Sequence, residues 1–379
     1  MILECSRCGC KVSEEELAWR CECGAYLNCP PDAFRYDPNP ALPGIWRYAS
    51  SLPLERPDRP VTLGEGMSPF VSCDWAYNGG TARIHCKFDA ISPTGSYKDR
   101  GIAVQVSRLR ELGVQRIADD SSGNAGASMA AYCAAADIPC DIYVPEAASE
   151  AKCLQIAMYG ANLVKVPGPR ENAGTAARES AKGAYYGGHN WSPYYIHGIK
   201  TCSFEIFEQL GNEVPDNIVC PAGQGCTIRG AFFAFSEIMK AGKSARMPRI
   251  FGVQSEACPP LYEAWRRGEK KPHPIERKPT IAEGIASLVA LRGDATLDVI
   301  AKSNGGMAAV SEKAIWEGLQ QLAKKGLYVE PTTATALAGL TKFLEEGVIR
   351  PDEKTVVVLT GFGLKTTELI MRLRQNPPA

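Results

Sequence analysis

The chain has 379 residues, of which 45% are hydrophobic and 22% charged, enough for two or three domains with substantial cores. Its 42 basic residues balance its 42 acidic ones, so no net charge favours nucleic acid or an anionic membrane as a partner. No run of about 18 uncharged apolar residues occurs, which predicts no membrane span, and Met1–Cys5 lacks the basic-then-apolar pattern of a signal peptide.

In chain order, the first feature is Cys5-x2-Cys8 followed by Cys21-x-Cys23, each pair running into a glycine, Gly9 or Gly24. Thiolates on two tight knuckles can enclose a tetrahedral zinc, and a segment too short to bury a core would draw its folding energy from that metal. Cys10 and Cys29 are alternative ligands, and free thiols or a ribbon that has lost its metal are alternative readings. The cysteines scattered through apolar stretches, Cys133, Cys140, Cys153, Cys202 and Cys220, are predicted to be buried free thiols of a protein in a reducing cytoplasm.

Residues Pro30–Pro60 are rich in proline and read as an extended arm. Ala82–Phe88 is predicted to be a strand entering the loop Ser92–Gly101, Ser-Pro-Thr-Gly-Ser-Tyr-Lys-Asp-Arg-Gly, which leads into a helix over Gly101–Leu112. An amine at a helix start feels the positive end of the dipole, which disfavours its protonated form. Burial among positive surroundings would free the Lys98 lone pair for attack on a carbonyl. Taken alone, the same loop reads first as a capped turn with a solvated lysine.

From Val114 the pattern alternates short apolar strands with helices. Strands are predicted over Arg116–Asp119, Cys140–Val144 and Asn162–Val166, with helices after Ser121–Gly126, over Ser149–Tyr159 and over Glu171–Lys182. Further strands are predicted over Asn217–Pro221, Arg249–Gln254, Gly306–Val310 and Thr355–Leu359, with helices over Ile228–Lys240, Ser311–Lys325 and Ala334–Glu346. That rhythm means parallel strands with crossover helices, with ligands beyond the strand carboxyl ends. Two strand-to-helix loops of small residues, Ser121–Gly126 and Ala222–Thr227, can aim backbone N–H groups at an anion.

Ser92–Gly101, Ser121–Gly126, Ala222–Thr227 and Thr360–Lys365 together resemble, in the same order, the motifs of the tryptophan synthase β-like (fold type II) pyridoxal-phosphate enzymes. Within them the chain is most similar to the threonine synthase branch, over nearly its whole length. The resemblance implies an α/β architecture of two three-layer α/β/α domains with a short N-terminal zinc-ribbon-like segment. Residues 1–30 would be the ribbon, 31–105 the arm and first part of the large domain, 106–190 the small domain and 191–379 the rest of the large domain.

The same resemblance implies that Lys98 forms a Schiff base with pyridoxal 5'-phosphate. Ser122, Gly123, Asn124 and Ala125 would grip the substrate carboxylate, with Asn124 also bonding the cofactor's phenolic oxygen. Gly223, Gln224, Gly225, Cys226 and Thr227 would cradle the cofactor phosphate, and Thr360 would face the pyridine nitrogen. Cys5, Cys8, Cys21 and Cys23 would hold structural zinc.

The activity implied is that of a lyase acting on an amino acid by elimination or replacement, in threonine synthase the conversion of O-phosphohomoserine and water to threonine and phosphate. Two features depart from that branch. Tyr195 stands where an arginine is expected to pair with the substrate phosphate, leaving Lys200 or Arg100 as possible sources of charge. Thr280–Ile285 is closer to the threonine dehydratase branch. A serine/threonine dehydratase or a cysteate synthase-like enzyme is therefore the alternative, and a non-catalytic amino-acid sensor on the same fold is a third. A cytoplasmic homodimer with no nucleic-acid or membrane partner completes the expectation.

Overall fold

The computed structural model describes residues 1–378 except Ala147, Ser149, Pro169, Ala181, Lys182 and Arg277. The chain divides into two compact units, Met1–Met67 with Ser92–Thr201, and Ser68–Ile91 with the residues from Cys202 onward.

The first unit holds two sheets. At the N-terminus Ile2–Cys5 pairs antiparallel with Lys11–Ser13 and Leu27–Asn28. The second sheet is parallel, in the order Asn162–Val166, Cys140–Pro145, Ile117–Asp119, Tyr185–Tyr186. Helices Asn124–Ala135, Glu150–Met158 and Arg170–Glu179 are the crossovers that parallel pairing demands. The predicted helices Ser149–Tyr159 and Glu171–Lys182 match the last two, although Ser149 and Lys182 lie outside the described residues. The expected arm contains a short 3-10 helix, Gly44–Ser51, because Ile45, Trp46 and Tyr48 are apolar enough to be drawn into the interior.

The second unit is built on a six-stranded sheet in the order Gly306–Val310, Arg249–Ser255, Asn217–Pro221, Thr355–Leu359, Gly80–Phe88, Phe70–Tyr77. All pairs are parallel except the last, a hairpin turning at Asn78-Gly79. Strands Asn217–Pro221, Gly306–Val310 and Thr355–Leu359 are buried at every residue, so both faces of the sheet are covered. Helix Pro331–Glu345 supplies much of that cover, packing Leu337, Leu340 and Phe343 into a core with Phe251 and Trp75. Trp75 keeps its indole N–H satisfied on Thr341 Oγ1 at 2.9 Å, which lets so large a ring be fully buried.

The five scattered cysteines are all buried and free. Among the described residues no helix is long and apolar enough to cross a membrane.

Candidate active site

In the first unit the Lys98 loop is built by its own side chains. Asp99, fully buried, accepts from the Thr94 N–H at 2.7 Å and the Thr94 hydroxyl at 2.6 Å. Ser96 Oγ accepts from the Lys98 N–H at 3.2 Å. These bonds start the helix at Lys98, three residues before the predicted Gly101, so the amine stands on the first residue of Lys98–Glu111.

Lys98 Nζ lies 3.2 Å from His189 Nε2 and over the rings of Tyr97 and Tyr195, 4.8 and 5.6 Å from their centroids. Burial, together with the Lys98 and Arg170 charges, holds His189 well below its ordinary range, so its ring is neutral at pH 7. Tyr195 packs so close to the helix start that a Cβ at Gly101 would fall 2.2 Å from its ring. His189 escaped the sequence reading because it sits 91 residues from Lys98 in an aperiodic loop.

Arg100 and Lys200, the alternative sources of charge for a substrate phosphate, are both engaged inside the protein. Arg100 donates to Thr201 Oγ1 at 3.1 Å, and Lys200 Nζ lies 3.1 Å from His197 Nδ1; both are fully buried.

Ser121–Gly126 joins strand Ile117–Asp119 to helix Asn124–Ala135, with Gly123 as N-cap and no side-chain cap. Ser122, Gly123 and Asn124 are half-buried and Ala125 is buried. The helix start has no side-chain cap, and a loop of small residues leading into a helix N-terminus is the local form of an anion site.

In the second unit the Ala222–Thr227 loop has the same form. Gly225 is the N-cap of helix Cys226–Lys240, with φ 72° and no side-chain cap. That conformation favours glycine, and a Cβ there would also fall 2.3 Å from Thr296 Oγ1. Gly223, Gly225, Cys226 and Thr227 are buried and Gln224 is half-buried. The Gln224 amide is turned on the protein itself: Oε1 accepts from the Leu291 N–H at 2.8 Å, and Nε2 donates to Ser287 Oγ and Val289 O, each at 3.1 Å. Ile285, at the end of the Thr280–Ile285 stretch, lies against Gly223.

Thr360 follows strand Thr355–Leu359 and is 3% exposed, its hydroxyl 3.0 Å from that of Thr333. Thr333 Oγ1 also accepts from the Gly361 N–H at 2.9 Å. A neutral hydroxyl pair is thus fixed at the strand's carboxyl end. Lys98 and the Ser122–Ala125 loop belong to the first unit, and Gly223–Thr227 and Thr360 to the second.

The sulfur atoms of Cys5, Cys8, Cys21 and Cys23 all lie within 4.8 Å of one another. The Cys5–Cys23 and Cys8–Cys21 separations are 3.5 and 3.7 Å, near the roughly 3.8 Å edge of a tetrahedral zinc–thiolate site. Burial pushes the Cys5 thiol up, but backbone N–H groups of Cys8 and Arg7 and the neighbouring thiols outweigh it and bring it down to about 6, while Cys8 and Cys21 are pushed up, because adjacent thiols resist a second negative charge. Cys10 points its Sγ to Lys11 O and Cys29 to Pro193 O, so neither joins the cluster.

Comparison with known proteins matches residues 61–361 to a family model described as pyridoxal-phosphate dependent enzyme. The threonine synthase of Methanocaldococcus jannaschii is 34% identical over 388 positions, spanning 100% of this chain and 96% of that protein. The threonine synthase of Methanosarcina acetivorans is 32% identical over 385 positions, spanning 99% and 95%. Among solved structures, the processed form of threonine deaminase isoform 2 from Solanum lycopersicum shares the fold with a TM-score of 0.66 at 21% identity, covering 78% of this chain and 83% of that one.

Proposed function

The chain belongs to the pyridoxal-phosphate dependent enzymes, and from that premise we propose that it is a threonine synthase, forming threonine and phosphate from O-phosphohomoserine and water. The observation that carries this reading is the end-to-end match to threonine synthases, which takes in the cysteine-bearing N-terminus as well as the family region.

The donor set suits the cofactor. The uncapped N-terminus at Gly225 offers N–H groups to a phosphate, Lys98 offers an amine to an aldehyde, and buried Thr360 offers a neutral hydroxyl. When bound, pyridoxal phosphate supplies the electron sink that lets a proton leave the substrate α-carbon. In this reading Lys98 Nζ holds the cofactor, then takes the α-proton and delivers protons during the later steps. The Ser122–Ala125 backbone holds the substrate carboxylate, and the Gly223–Thr227 backbone holds the cofactor phosphate. Thr360 brings no charge to the ring nitrogen, which keeps the cofactor a mild electron sink suited to elimination. The four clustered cysteines hold a structural zinc, whose preferred ligands and geometry they match. The protein acts as a cytoplasmic homodimer, and the 11 cysteines outside the zinc cluster, none of them in a disulfide, fit a reducing compartment.

A second reading has specific support. Tyr195 offers no bidentate clamp for a phosphate, and Arg100 and Lys200 are fully buried on internal partners. A serine/threonine dehydratase-type elimination, or a cysteate synthase-like replacement, would not need that clamp for a γ-phosphate. The deciding experiment incubates the purified protein with O-phosphohomoserine, threonine and serine separately. Phosphate release matched by threonine supports the synthase. Oxoacid from threonine or serine with the phosphoester untouched supports the dehydratase instead.

A further inference from the structure

The segment from residue 187 to 195 has two sides. Inward, His189 meets Lys98 at 3.2 Å and Tyr195 meets His189 edge-on at 5.2 Å. Outward, the same segment is gripped by the N-terminal ribbon at several independent points. The half-buried Trp19 packs edge-on against Trp191 at 5.1 Å and against Tyr186, just upstream, at 4.8 Å. Cys29 Sγ donates to Pro193 O at 3.4 Å. Tyr194 donates its hydroxyl to Glu14 Oε2 at 3.3 Å, and Glu14 is in turn bound by Arg108, on the helix that begins at Lys98.

A ribbon needed only for its own folding would not have to grip this loop. Aromatic edge-to-face pairs and hydrogen bonds from outside it fix a segment that belongs to no strand and reaches a helix only at Tyr195. The metal-ligating knuckles close the ribbon, and Trp19, two residues before Cys21, carries its shape to the loop. All these residues lie within the first unit.

We propose that the N-terminal ribbon is a positioning element for Lys98: through Trp19 and Tyr194 it holds the 189–195 loop so that His189 keeps its hydrogen bond to the Lys98 amine. This rests on Lys98 being the cofactor lysine. With His189 neutral, the Lys98 ammonium donates to its Nε2 and the bond favours the protonated amine, so loosening the loop releases a more reactive amine.

The test measures the initial acylation rate of Lys98 by acetic anhydride, read by peptide mass spectrometry in the full-length chain stripped of cofactor, with exposed Lys302 as internal reference. Trp19→Ala and His189→Leu are each expected to raise the rate by about two- to tenfold, the lower part of the coupling found between residues in one network. The double variant should be no faster than His189→Leu alone, and Trp19→Phe should return the rate towards wild type. In the holoenzyme the pH midpoint of the cofactor's visible absorbance should move in the same two variants. A wild-type rate in Trp19→Ala, or a double variant whose increments multiply, would overturn the proposal. If Trp19→Ala loses its circular dichroism, Tyr194→Phe, which removes one oxygen, takes its place with the same expected direction, and a wild-type rate there sinks the idea. Should Lys98→Ala retain the cofactor absorbance, the functional reading fails, yet the acylation rates still decide whether the ribbon positions this amine.

Discussion

Arg108 and Glu14 meet side by side in the interior, with Nε 3.1 Å from Oε2 and Nη2 2.5 Å from Oε1. Both side chains are almost fully buried, and Arg108 also reaches Glu55 and Glu111, while the N-terminal ammonium of Met1 closes on Glu14. This pair ties the ribbon to the helix that begins at Lys98.

Breaking it from one side should be costly, because the stranded partner stays buried and charged. Arg108→Met is expected to lose about 3–5 kcal/mol of stability. Acid should act in the same direction. Burial raises the Glu14 carboxyl, but Arg108 and the N-terminal ammonium overcome it and leave it below its ordinary value. A depressed carboxyl contributes stability above its unfolded pKa and loses it as pH falls through the folded one. The stability gap between wild type and Glu14→Gln should therefore shrink from pH 7 to pH 3.5 in urea titrations; an unchanged gap would refute the assignment.

Lys98→Ala should abolish the visible absorbance of bound cofactor and reduce turnover to the limit of detection, since no other amine would be held to take its place. Lys98→Arg should fail equally, because a guanidinium stays protonated and cannot attack an aldehyde. Spectra and phosphate-release assays on both variants, with circular dichroism to establish folding, test this directly. Turnover retained in either variant would remove Lys98 from the mechanism.

The four-cysteine cluster predicts about one zinc per chain by elemental analysis. Cys21→Ser should lower both the zinc content and the melting temperature, and a strong chelator should lower the melting temperature of wild type. Cys10→Ser serves as the internal control, because that exposed thiol points to the carbonyl of Lys11 and lies outside the four-cysteine cluster. Equal losses from Cys10→Ser and Cys21→Ser would show that the thiols are not acting as a ligand set.

Much of this architecture was legible because the buried strands carry their signal in a few residues. Asn217–Pro221, Gly306–Val310 and Thr355–Leu359 are short, mainly apolar and bounded by turns, and their predicted limits coincide with those observed. Two helices start earlier than their patterns predict, Lys98–Glu111 before Gly101 and Cys226–Lys240 before Ile228, because a first turn has no periodicity and its capping bonds are local. Strand Phe70–Tyr77 is an edge strand, only half-covered, and carries no clean alternation for a period of two to reveal. Tyr185–Tyr186 is too short to show any period. Contacts such as Trp19 with Trp191 and Lys98 with His189 depend on tertiary closure, and no spacing rule in one sequence contains them.

The last residue of strand Ile117–Asp119 makes the sharpest pH prediction. Asp119 is fully buried just before the Ser121–Gly126 loop, with Oδ1 accepting from the Asp120 N–H at 2.6 Å and Oδ2 finding no hydrogen-bond partner among the described residues. Burial, reinforced by the Asp120 charge, pushes its carboxyl from 3.8 up to about 7. In the folded chain the group therefore keeps its proton over a range in which the unfolded chain has lost it. Folding binds that proton, so stability falls as pH rises from about 4 to about 7 and then levels off. Asp119→Asn retains the acceptor for the Asp120 N–H and removes the ionisation. Its stability advantage over wild type should be close to nil near pH 4, grow through the window and reach at most about 4 kcal/mol above it. Denaturation midpoints at pH 4.5 and pH 8 separate the possibilities: an advantage equal at both pH values would mean that packing, and not the buried charge, governs this strand end.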